Sequence, residues 1–259
     1  IVGRLAAYLE KKSGRRYHPC AVPDPEAFRR SLRPCDIILM EGDLRYSEII
    51  KYVTQSTWSH CGIYIGDAFE SDDLGDDQRC IIEVLLTDGT VLSPIKDYYG
   101  FNTRILRPIG LTKTDKDTII AYCLERLGHS YDIANVIDLL KHHVPFFKLF
   151  FGNTNENEPF GSGDPQKVIC SSLIAQAFQS VSYPILPDIE KLKKSAARRE
   201  GTTAEERMRT ESETLSKRHH SLFSPRDFDM SPFFAVVKPT IEEGFNYMGL
   251  QWSEDKDYF

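Results

Sequence analysis

A chain of 259 residues that is 41% hydrophobic can bury a full core, as one large domain or as one domain with elaborations. Its formal net charge of −6 offers no basic footprint and argues against nucleic acid as a partner. No apolar run approaches the roughly 20 residues of a membrane span, and none reads as a signal peptide. The six cysteines (Cys20, Cys35, Cys61, Cys80, Cys123 and Cys170) are too sparse for a disulfide-framed small domain. No C-x-x-C pair points to a structural zinc. Reduced thiols, a cytoplasmic setting and no metal or cofactor are expected.

Residues 1–31 read as a charged helical leader, amphipathic around Leu5 and Leu9 and broken by Pro19, Pro23 and Pro25. The domain proper is expected over 32–239, with a tail over 240–259. Residues 36–40 form a short apolar run bounded by Pro34 and Gly42, a buried-strand pattern. Residues 47–53 have helical spacing, with Ser47 as the candidate cap. A turn over 55–59 then enters a buried strand with His60 at its mouth. After an acidic turn over 72–78, residues 80–86 read as the next strand, and Asp88-Gly89 as a hairpin turn into residues 90–92. Residues 102–108 make a further strand. A helix is expected over 115–127, with Thr114 as cap and Gly128 as stop.

Residues 139–152, with the phenylalanine-rich stretch 144–152, form the most apolar surface-loop candidate, and 153–163 a polar loop. A helix over 170–181 carries Leu173, Ile174, Ala177, Phe178 and Val181 along one face. Residues 190–220 are highly charged with almost no apolar face, a solvated helix or a disordered insertion. A late strand is expected over 233–237.

Three residues carry the chemistry. Cys170 opens its helix, where the backbone dipole and free N–H groups stabilise a thiolate and can hold an oxyanion. A helical cysteine is otherwise a small buried hydrophobe. His60 alone among the histidines opens a core strand, which makes it the candidate base. Glu83 shares a strand face with Ile81 and Leu85, where a carboxylate is costly unless paired. If its strand pairs with that of His60, it can hold the second ring nitrogen and fix the tautomer. Cys61 lies on the opposite strand face from His60 and is expected to be dispensable.

The order His60, Glu83, Cys170 resembles that of the YiiX-like permuted papain-like hydrolases, relatives of the NlpC-type peptidases and of lecithin retinol acyltransferase. The resemblance spans about residues 33–239. It rests on the 36–40 strand, Ser59-His60-x-Gly62-Ile63-Tyr64, Ile82-Glu83-Val84, Gly128-His129-Ser130-Tyr131-Asp132, Cys170-Ser171 and Ser224-Pro225-Arg226-Asp227. It implies an α+β fold of the circularly permuted papain-like (NlpC-type) kind, a small antiparallel sheet packed on the nucleophile helix. It also implies Cys170 as nucleophile, His60 as base and Glu83 as orienting acid. Tyr131, Asp132, Ser171 and Trp58 would contact substrate. The expected activity is a cysteine hydrolase or acyltransferase acting on an amide or ester, in a peptide, peptidoglycan-like or lipid acyl substrate, through a thioester. The phenylalanine run allows lipid or peripheral membrane contact. A noncatalytic binding module on the same fold is the alternative of a different class.

Overall fold

A computed structural model of the chain describes residues 8–14, 19, 24–69, 75–132, 167–186, 218–239 and 248. The phenylalanine-rich and polar loops, most of the charged 190–220 stretch and much of the leader lie outside the described residues.

The architecture is α+β. Six strands form one sheet in which every neighbouring pair is antiparallel: β1 (Ile37–Met40), β2 (His60–Tyr64), β3 (Arg79–Leu85), β4 (Gly89–Pro94), β5 (Thr103–Pro108) and β8 (Phe234–Val237), in the order β4-β3-β2-β1-β5-β8. The strand bearing His60 therefore lies directly beside the strand bearing Glu83. Two further short strands, β6 (Ser130–Tyr131) and β7 (Lys167–Val168), pair in parallel.

Both faces of the sheet are covered, which explains runs such as Ile37-Ile38-Leu39 that do not alternate with polar residues. On one face Ile37, Leu39, Cys61, Ile63, Ile82 and Val84 pack beneath helices α3 (Lys113–Leu124) and α4 (Cys170–Ser180). On the other, Ile38, Ile81 and Ile105 meet Phe28, Ile95 and Tyr98. Phe28 comes from helix α1 (Pro25–Ser31), which starts on Pro25 with the Asp24 carboxylate accepting from the Glu26 and Ala27 amides. A proline expected to break the leader thus starts a helix, and that end of the leader is packed on the sheet.

Two cap assignments are corrected. Helix α2 (Arg45–Thr54) begins ahead of Ser47, which is buried inside it, and Leu44 precedes it without a side-chain cap. Helix α3 is capped by Thr112, not Thr114: Thr112 Oγ1 accepts from the Asp115 amide, and the Asp115 carboxylate accepts from the Thr112 amide. Gly128 stops the turn after α3 at a left-handed φ of 82°, as expected.

The Asp88-Gly89 hairpin is as expected, and Gly89 is doubly constrained. Its φ is 72°, and a side chain there would collide with the His129 carbonyl. That close approach lets residues 128–129 pair with Thr90, through Thr90 N–H to His129 O and Gly128 N–H to Thr90 O. The β3–β4 hairpin is thereby fastened to β6, and β6 to the short strand that leads into α4. Helix α5 (Pro225–Asp229) follows Ser224, whose amide and hydroxyl both donate to Asp227 Oδ2.

Candidate active site

Cys170 is the first residue of α4 and is 6% exposed. The chain enters the helix extended at Ile169, and Ser172 secures the start: its hydroxyl accepts from the Ile169 amide and donates to the Ile169 carbonyl. The sulfur sits where the helix N-terminus favours negative charge.

His60 opens β2 and is 2% exposed. Its position is fixed by the preceding Ser59, whose amide donates to the Met40 carbonyl and whose Oγ accepts from the Gly42 amide at 2.9 Å. His60 Nε2 lies 2.5 Å from Glu83 Oε2. Cys170 is the other group that acts on the ring, raising the His60 pKa while His60 lowers that of Cys170. The structure thus pairs His60 with Glu83 and sets Cys170 near enough for it and His60 to shift each other's pKa.

The electrostatics of the three groups are mutually consistent. Burial disfavours a charged His60, but hydrogen bonds to Cys170 and Glu83, with their charges, raise its pKa to about 10. Burial likewise opposes the Glu83 charge, and hydrogen bonds from His60, Ser93 and Tyr98 outweigh it, leaving the carboxyl below its ordinary value. The Cys170 thiol is held well below the usual thiol range, first by the Cys61 thiol, then by His60, against the cost of burial. In direction, the shifts favour the charged form of each of the three groups.

Other thiols behave oppositely. Burial pushes Cys35 and Cys123 up to about 12 and Cys80 to about 11. Every cysteine among the described residues is buried and free, so the difference lies in partners rather than exposure.

Cys61 is a neighbour of Cys170. Strand alternation does separate it from His60, but the face it occupies is the one packed by α4. There it packs in the same core cluster as Cys170, and its thiol and amide lower the Cys170 pKa.

Tyr131 is half-buried and paired through β6 with Val168, just ahead of Cys170. The nearby Cys170 charge adds to burial in raising its pKa. Asp132 is buried beside it. Ser171 and Trp58 have different surroundings. The Ser171 hydroxyl donates to the Phe223 carbonyl at 2.6 Å, tying α4 to residues 220–223. Trp58 is 5% exposed and its indole N–H donates to Asp229 at 3.0 Å, with Arg104 over its ring. The polar handles of both are taken by the fold.

Sequence reasoning missed Tyr98, Ser93 and Tyr46. Tyr98 ends a 3-10 turn (Ile95–Tyr98), and its hydroxyl donates to Glu83 Oε2 at 2.9 Å. Tyr46, on α2, feels the charges of Cys170 and Glu83, which add to burial in raising its pKa. Nothing in the local pattern of Tyr46 marks it. Among the described residues, no three His, Cys, Asp or Glu side chains come together as metal ligands. No described helix is long and apolar enough to cross a membrane.

No family model matches the sequence, and no curated protein matches it. Among solved structures, the chain is similar to the metalloprotein yiiX from Escherichia coli O157:H7, a DUF1105 protein. The identity is 14%, the TM-score 0.47, and the match covers 80% of this chain and 97% of that one. The chemistry of the site rests on its own atoms.

Proposed function

We propose that the chain is a cysteine hydrolase of the permuted papain-like kind, cleaving an amide or ester bond through a thioester. The observation that carries this reading is a thiol at a helix N-terminus, joined through a buried imidazole to a buried carboxylate. Cys170 is the nucleophile, His60 the acid and base, and Glu83 the group that holds the ring. The Cys170 thiolate attacks the substrate carbonyl carbon, forming the C–S bond. The resulting oxyanion can be held by amides at the start of α4. The C–N or C–O bond then breaks, and the leaving amine or alcohol takes its proton from the His60 imidazolium. Neutral His60 next removes a proton from water, which attacks the thioester carbonyl, releasing the acid and restoring the thiolate. Transfer to another amine or alcohol in place of water would make the same site an acyltransferase.

Peptides and acylated molecules are the substrate class, since both present a carbonyl with a heteroatom leaving group. Tyr131, whose pKa the Cys170 charge raises, and its neighbour Asp132 are the proposed substrate contacts. The test is intact mass of the full chain after incubation with activated ester and amide probes. The expected result is a single acyl adduct on Cys170, cleared by hydroxylamine as a thioester and absent from Cys170→Ala. Labelling that persists in Cys170→Ala, or no labelling under any probe, would overturn the reading and leave a binding module.

A further inference from the structure

We propose that Tyr98 is a positioning residue, a fourth member of the site that acts through Glu83, and that Gly62 exists to admit its hydroxyl. The inference rests on the reading of Cys170, His60 and Glu83 as the reactive unit.

Glu83 Oε2 receives two donors, His60 Nε2 at 2.5 Å and the Tyr98 hydroxyl at 2.9 Å. Ser93, diagonally across the β3–β4 pair on the same face, adds a third to the carboxylate. Tyr98 is 2% exposed and sits among Ile81, Ile95 and Phe28, so its ring has no freedom to leave. The phenol also cannot become an anion there, because burial and the Glu83 charge push its pKa well above the ordinary value. It remains a donor across the working pH range. A buried carboxylate with several such donors stays ionised where a lone one would take up a proton.

Gly62 supplies the independent evidence. Continuing the β2–β3 register from Ile63↔Ile82 sets Gly62 opposite Glu83. A methyl group on Gly62 would collide with the Tyr98 hydroxyl and lie 2.7 Å from Ile81 Cγ2. Glycine in the interior of a buried strand costs stability, and here its missing side chain is the space through which the phenol reaches the carboxylate. The other titratable groups that feel the Glu83 charge are Asp97, Tyr46 and Cys61. None of them is a hydrogen-bond donor to it, which leaves Tyr98 and Ser93 as the neutral supports.

The experiment needs no substrate. The rate of Cys170 alkylation by iodoacetamide is measured on the full chain from pH 4.5 to 9, with folding checked by circular dichroism. Tyr98→Phe removes only the hydroxyl, so Glu83 should protonate at a higher pH and cease to support the imidazolium. The acid limb of the profile is expected to move upward, with about a tenfold loss at pH 5 and less than about twofold at pH 8. Gly62→Ala displaces the same hydroxyl without deleting it and should reproduce that shift, so either variant decides if the other fails to fold. A merely structural role would scale the rate equally at all pH values. A Tyr98→Phe profile that superimposes on the wild type, while Glu83→Gln moves the limb, overturns this inference alone. If Glu83→Gln and His60→Ala also leave the profile unmoved, the reading of the reactive unit fails with it.

Discussion

Two carboxylates are buried at this sheet, each clasped by a basic side chain, and their difference separates a structural pair from the one at the proposed site. Asp36, fully buried just before β1, accepts from Arg107 Nε at 3.0 Å and Nη2 at 2.8 Å, and from the Arg33 amide. Glu83 accepts from His60, Tyr98 and Ser93. Burial wins at Asp36 and raises its pKa despite the guanidinium, whereas at Glu83 the donors win and lower it. The decisive contrast is in the partners. Arg107 is always charged, and its remaining Nη2 capacity goes to the Ser31 carbonyl. It holds α1 to β5 and passes nothing on. His60 can titrate, and Cys170 lies near enough for the two to shift each other's pKa. A buried ion pair marks a site only when one partner can move a proton to a third group.

The largest expected effect follows from that asymmetry. Cys170→Ala and His60→Ala should each reduce turnover of any substrate found by about 10⁴-fold or more, and the double variant should lose little beyond either single one. Melting temperature should change little for Cys170→Ala, because the helix start is secured by Ser172. Arg107→Ala should do the reverse. It strands the Asp36 carboxylate in the interior and should cost about 3–5 kcal/mol in urea unfolding, while the Cys170 alkylation profile keeps its shape. An Arg107→Ala protein of wild-type stability would erase the contrast between the two pairs.

A smaller effect sharpens the role of Glu83. Glu83→Gln retains an acceptor for His60 but cannot stabilise its charge, so turnover should fall by on the order of a hundredfold, less than for His60→Ala. The sign of the pH dependence follows from the shifts. Glu83 is depressed, so its support for the fold is present above the ordinary carboxylate range and fades as pH falls through its folded value. His60 is raised, so its contribution is complete below about 6.5 and lost as pH rises through about 10. The wild-type protein should therefore gain stability over Glu83→Gln between these limits, and thermal melts from pH 4 to 11 check it.

Most strands, and the order of the three central residues, could be read from the chain because both faces of the sheet are packed and each strand is a short apolar run ended by proline, glycine or charge. The pairing of the His60 and Glu83 strands was legible only as a condition, since alternation gives faces and not neighbours. Thr112 was missed in favour of Thr114 because two threonines flank the helix start, and only the reciprocal bond with Asp115 chooses between them. Tyr98 has no signal of its own, lying in an irregular turn after β4. The trace it leaves is Gly62, a glycine inside an apolar strand, which marks a close approach without naming what approaches. The nearness of Cys61 to Cys170 was hidden for a different reason. Its face was read correctly, but which face the helix opened by Cys170 covers is a fact of packing.

That last point gives the smallest and most pointed prediction. Cys61 is buried, its own thiol is pushed well above the ordinary range by burial and by Cys170, and it therefore stays protonated as a donor. Its thiol is the first contributor to holding Cys170 as a thiolate, and its amide adds a second bond that substitution leaves in place. Cys61→Ala removes only the thiol. Alkylation of Cys170 at pH 6 should fall by about threefold to tenfold, with the rate at pH 9 nearly unchanged, because His60 and the helix N-terminus still act. Cys61→Ser, which restores a donor, should recover most of the loss. A Cys61→Ala profile identical to the wild type would show that the imidazole and helix suffice, and would return Cys61 to the core residues it was first taken for.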